Sequence, residues 1–215
     1  MAQDVYSGEY VKFFAHDEKG IDFMGADNLI GDRYTIDIRD EGTTYRAYLV
    51  NRFGKEIGYL EDRIVRSIQL SQAKGWETPA FLSFVAFTEG KDEENPGYYW
   101  GQMAVLQYDP RIKEQMASFE ETLAKKMADG GRPQVDFGQQ SIEKLTGDSS
   151  RFPTDKAAMP KMRKGSAVVK DHRTPNERLI EQSRKGNKGC YVISYAFIIA
   201  VIVGIVFLLH SCGLF

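Results

Sequence analysis

The sequence predicts an α+β chain, mainly β, with a membrane anchor at its C-terminal end. Three observations lead there. Between Tyr10 and Tyr108 short apolar-alternating runs are separated by turn clusters, as in a small antiparallel sheet or barrel. Two stretches switch to helical spacing, and the 20 residues from Cys190 to Leu209 carry no charge.

The first runs, "YVKFFA" and "IDFM", flank "HDEKG" and predict a hairpin. "RYTIDIRD" places Tyr34, Ile36 and Ile38 on one face and Arg33, Thr35, Asp37 and Arg39 on the other, a half-buried strand. "TYRAYLV" and "EIGYL" follow after the turns "DEGT" and "NRFGKE", so three consecutive strands form a meander. The period then changes. "EDRIVRSIQLSQAKG" offers acidic residues for a first helical turn, Ile64 and Ile68 on one face, and Lys74 with Gly75 as a stop.

"PAFLSFVAFTE" is apolar on both faces, which predicts a central strand, with "YYWGQMAVLQY" as its partner across "GKDEENPG". Eighteen aromatic residues in the first 110 positions supply bulk for a core without disulfides or metal. Asp109 and Pro110 open a long amphipathic helix over 110–129, whose stripe of Ile112, Met116, Phe119, Leu123 and Met127 closes a domain spanning 1–130.

From 131 to 189 the composition predicts a flexible basic linker, interrupted by one short helix at about 175–185. Thr174, Pro175 and Glu177 mark that helix as a capping box. The following run, 190–209, is long enough to span a bilayer as a helix, with a tail of 210–215 beyond it. Arg178, Arg184, Lys185 and Lys188 precede the run and nothing basic follows, so the positive-inside rule makes residues 1–189 cytoplasmic. The reading is a single-pass, tail-anchored protein of the cell membrane. Ala196, Ala200 and Gly204 recur every fourth residue, a stripe through which two such helices would pack as a homodimer. The terminal "CGLF" matches a prenylation box in form, but a spanning chain places it on the wrong side for that chemistry.

Charge is split along the chain. Residues 1–150 carry 17 basic and 26 acidic side chains, net −9, while 151–189 carry 11 and 4, net +7. The acidic part argues against nucleic acid as a partner, and the basic part suits an anionic lipid surface. The two cysteines, Cys190 and Cys212, lie at opposite ends of the apolar run and cannot pair within one helix.

No catalytic motif survives inspection, and no cofactor is expected. His16, His172 and His210 are too scattered for a zinc or nucleophile site. "DEENPG" opens like a calcium loop but has Met103 where the last carboxylate belongs, and "SQAK" lacks the companions of a Ser-x-x-Lys enzyme. An enzyme of unrecognised type is the least favoured reading.

The run from Thr43 to Ile68, "TTYRAYLVNRFGKEIGYLEDRIVRSI", resembles the centre of a HIRAN domain. The similarity is carried by Ala47 and Val50, the turn at Gly54, Ile57 to Leu60, and a helix bearing Ile64 and Ile68. The resemblance implies a small β-rich module that recognises DNA ends. The family's tyrosine and aspartate ahead of the strand correspond here to Thr43 and Thr44, so no binding residue carries over. Arg33, Arg39, Arg46 and Arg52 are the candidate ligand face on the sheet. The favoured expectation is a binding or scaffold module held at the membrane for an unknown protein partner, with nucleic-acid binding as its alternative.

Overall fold

The computed structural model describes residues 5–15, 20–92, 95–137, 156–184 and 197–203. Within it the chain divides into two compact units, Met1–Arg173 and Thr174–Phe215.

The first unit is a closed antiparallel barrel. Its strands are β1 (Tyr6–Ala15), β2 (Arg33–Asp40), β3 (Tyr45–Val50), β4 (Glu56–Leu60), β5 (Ala80–Asp92) and β6 (Asn95–Tyr108). The predicted meander is β2–β3–β4, and β5–β6 is the predicted central pair. Closure comes from three longer-range pairings: β1 lies between β4 and β6, and Arg33 and Tyr34 of β2 pair with Phe81 and Ala80 of β5. Six strands thereby form a ring, closed between β2 and β5 by these two residue pairs, while β5 beyond them pairs with a seventh strand.

Alternation along β1 shows how the sequence sorts the two faces. Val11, Phe13 and Ala15 point inward and are buried, while Tyr10, Lys12 and Phe14 lie on the outer face. Inside, Phe13, Phe23, Leu49, Ile57, Leu60 and Met103 are buried completely, each large side chain contributing roughly 1.5–3 kcal/mol by leaving water. Gly101 is required where β6 passes beneath Phe84. A Cβ there would stand 2.0 Å from the Phe84 carbonyl oxygen and 2.7 Å from the Phe13 ring.

Helix α1 (Asp62–Ala73) buries Ile64 and Ile68 as predicted, and ends on Gly75 at φ +76°. There the Gly75 and Trp76 amides return to the Gln72 and Ser71 carbonyls, a Schellman ending that only a residue tolerant of positive φ makes without strain. Asp109 caps a 3-10 turn at Pro110–Ile112 through the Arg111 amide, and α2 (Lys113–Ala128) follows. Its stripe of Met116, Phe119, Leu123 and Met127 joins the barrel core.

Two expectations are corrected. "IDFM" forms no strand: Gly20–Met24 is a 3-10 turn, and the pairing that "YVKFFA" needs comes instead from β4 and β6. The larger correction concerns the linker. Residues 156–173, expected within a flexible segment from 131 to 189, are part of the barrel unit, so that unit runs to Arg173 and not to residue 130. This strap is fastened in three places. The Ala157 amide bonds the Arg132 carbonyl at 2.8 Å, β7 (Ser166–Lys170) pairs with β5, and two cations are buried at its end. Lys170 Nζ donates to the carbonyls of Asn28, Gly25 and Phe23 at 2.9, 3.3 and 3.4 Å. Arg173 donates to the Ile30 carbonyl at 2.5 Å and to Asp32 at 3.2 Å. Burying a charge is costly unless it is paired and hydrogen-bonded, and the 3-10 turn with the loop from it to β2 supplies both kinds of partner. Charge that read as solvent-facing tether is thus an internal fastening.

In the second unit, α3 (Pro175–Arg184) follows the predicted capping box. The Thr174 amide bonds Glu177 Oε2 at 2.9 Å, and the Glu177 amide bonds Thr174 Oγ1 at 3.3 Å. Residues 197–203 are helical. No helix among the described residues is long and apolar enough to cross a membrane. The rest of the expected span, including Ala196 and Gly204, lies outside the described residues, as do Lys185 and Lys188.

Candidate functional site

The four arginines expected to form one ligand face do not do so. Arg39 and Arg46 are brought opposite each other by the β2–β3 register, whereas Arg33 lies six residues back along β2, about 20 Å at the rise of an extended strand. Arg52 sits in the β3–β4 turn over the Phe53 ring, 5.2 Å from its centroid. Three of the four are neutralised. Arg39 pairs with Asp37 at 2.8 Å and Glu56 at 2.6 Å, Arg46 with Glu41 at 3.3 Å, and Arg33 with Glu120 at 3.3 Å. Their planar groups also cover aromatic rings, Arg39 over Tyr48 and Arg46 over Tyr59 at 4.6 and 4.4 Å. The arrangement holds a surface together and offers an anion little.

A different cationic site lies on the opposite side of β1. Registers carry one row of outer-face residues around the barrel there: Lys12 opposes Gln102, Phe14 opposes Trp100, and Tyr98 opposes Thr88, which in turn opposes Ser166 of β7. Pro160, Lys161 and Arg163 of the strap complete the wall. Together they bound a recess of about 110 Å³. Its floor is a small second core of Phe84, Ala86 and Trp100, with Phe14, Tyr98 and Met162 packed around it. The Lys12 ammonium stands 4.6 Å from the Phe14 centroid and 4.4 Å from that of Trp100.

Charge compensation separates this recess from the arginine face. None of the described residues lining it is acidic. Lys12, Lys161 and Arg163 form no ion pair among the described residues, while Arg33, Arg39, Arg46, Lys55, Arg63, Arg111 and Lys113 all do. Arg132 adds to the positive field from below. Among the described residues it is bonded to uncharged acceptors, the Ser83 hydroxyl at 2.9 Å, the Ala158 carbonyl at 3.2 Å and the Gln102 side-chain oxygen, and its guanidinium lies 3.7 Å from the Tyr10 ring centroid. Burial lowers the Arg132 pKa from its ordinary value. The same burial pushes the Tyr10 phenol well above the usual tyrosine range, partly offset by Arg132.

The hydroxyls have one hydrogen to spare. Trp100 Nε1 donates to Thr88 Oγ1 at 2.8 Å, and Thr88 and Ser166 share one hydrogen bond at 2.7 Å. Two hydroxyl hydrogens serve that single bond, so one is left to donate. Gln102, with its oxygen committed to Arg132, likewise keeps its NH2 group as a donor.

Sequence reasoning passed over this site because Lys161, Arg163 and Ser166 read as tether. The readable signal was the alternation in "YVKFFA", which sets Lys12 beside Phe14 on the solvent side. Among the described residues no group of His, Cys, Asp and Glu is arranged to hold a metal. The chain matches no family model, no curated protein and no solved structure.

Proposed function

We propose that this chain is a single-pass membrane protein, anchored near its C-terminal end, that holds a β-barrel binding domain at the cytoplasmic face. The observation that carries the reading is the 20-residue uncharged run Cys190–Leu209, entered from the basic residues Arg178, Arg184, Lys185 and Lys188. Support comes from residues 197–203, a helical turn pair on which Phe197, Ile198, Ile199, Val201, Ile202 and Val203 are all exposed. A helix apolar on every side suits hydrocarbon and not water.

The domain is read as a binder because its polar side chains are spent on structure or gathered in an uncompensated cationic recess. The HIRAN-like alternative, with DNA held on the β2–β3 face, needs free cations where Arg33, Arg39 and Arg46 are ion-paired. The anchor is tested by membrane extraction and by an impermeant thiol reagent on intact cells. The protein should resist alkaline carbonate, and Cys212 alone should be labelled. Labelling of Cys190 alone would reverse the topology, and release by carbonate would remove the anchor.

A further inference from the structure

We propose that the recess between Lys12, Lys161 and Arg163 binds a phosphate monoester. The inference deepens the binding-domain reading by naming a ligand class, and it does not depend on the membrane anchor.

Three features select that chemistry. The first is charge: three cations with no ion pair among the described residues line a recess whose described lining holds no acid, whereas Arg33, Arg39, Arg46 and Arg63 are ion-paired. A dianion is the simplest group that such a site compensates, and hydrogen bonds between charged partners are the stronger kind. The second is donor supply. The spare hydroxyl hydrogen of the Thr88–Ser166 pair and the Gln102 NH2 group add neutral donors beside the cations, as the several oxygens of a phosphate require. The third is exclusion. Trp100 is only 5% exposed beneath Lys12 and Met162, so it offers no open face for a nucleobase.

Occupancy would tie the strap to the barrel, since Lys161, Arg163 and Ser166 come from one and Lys12 and Thr88 from the other. The ester could be soluble or could be a lipid headgroup, and the chemistry is the same for both.

Trp76 and Trp100 are the two tryptophans of the chain. A full-length Trp76→Phe protein in uncharged detergent therefore reports on the recess through Trp100, because an anion that draws on Lys12 moves a charge from over the indole. One arm titrates glycerol 3-phosphate against sodium chloride at equal ionic strength. The other reconstitutes the protein in phosphatidylcholine vesicles containing either phosphatidic acid, a monoester, or phosphatidylglycerol, a diester. The expected result is a saturable emission change with at least one monoester. It should weaken roughly tenfold or more in Lys161→Gln/Arg163→Gln, which leaves Lys12 over the indole as the reporter, in line with the loss of charge-assisted bonds, while the thermal melt is unchanged. Response to both monoesters, or to glycerol 3-phosphate alone, means a soluble ester suffices, and response to phosphatidic acid alone assigns a lipid. No saturable response to either monoester overturns the proposal, as does an equal response to chloride or phosphatidylglycerol. Should the double variant not fold, Lys161→Gln, at an exposed position, replaces it, and an undiminished response in that variant overturns the proposal equally.

Discussion

The barrel has two basic surfaces, and they differ in what surrounds the charge. On the β2–β3 face, Arg39 stands beside Asp37 and Glu56, and Arg46 beside Glu41. Around the recess, Lys12, Lys161 and Arg163 stand beside aromatic rings and hydroxyls. Both contain cations and aromatics, and a list of residue types would not tell them apart. Register does, because it decides which carboxylates come within reach. A cation whose field is already answered is part of the fold, and one whose field is open is available to a ligand.

The comparison is broken most severely at the strap, which supplies two of the three open cations. Arg173→Met leaves Asp32 buried without its cation and the Ile30 carbonyl without its donor. Removing one partner of a buried pair costs on the order of 3–5 kcal/mol, so the melt should fall and limited proteolysis should cut first within 156–173. Survival of the strap intact in that variant would show that β7, Lys170 and the Ala157 bond fasten it without Arg173.

A broader, pH-driven effect comes next. Burial raises the phenols of Tyr6 and Tyr34 well above the ordinary tyrosine value, with nearby Asp136 and Asp32 adding to it, and raises Tyr10 and Tyr108 similarly, Tyr108 also through its hydrogen bond to Glu120. The sign follows from linkage. The folded chain holds these protons more tightly, so their contribution is complete below the unfolded tyrosine pKa of about 10 and is lost as pH climbs from there toward the folded values. Phenolate absorbance should therefore rise together with loss of near-ultraviolet circular dichroism. Full ionisation of all tyrosines in a chain that stays folded would contradict the burial described.

The smallest effect is expected on the neutralised face. Arg39 is half exposed, and surface ion pairs are screened by water and salt. Arg39→Gln should leave the melt and the Trp100 response unaltered. A lost response there would move the binding surface to β2–β3 and revive the nucleic-acid reading.

Much of the fold was legible because its signals were local. Alternation located β2, a run apolar on both faces located β5 with β6 as its partner, capping residues located α2 and α3, and Gly75 ended α1. Ring closure was not, since nothing near Tyr6 announces that it will face Tyr108. The strap escaped for a related reason. Lys170 and Arg173 look like solvated charge until the loop from Phe23 to Asp32 is seen to wrap them, and the recess that depends on the strap went with it.

The fastening at Lys170 and Arg173 also decides how the domain bears load. Any pull entering through the C-terminal segment reaches Arg173 before anything else in the first unit, then Lys170, and then the ladder between β7 and β5. The ring of six strands lies behind that joint. Tension would thus open the Trp100 recess from its strap side while the barrel stayed whole, making the buried cations a mechanical fuse placed ahead of the core.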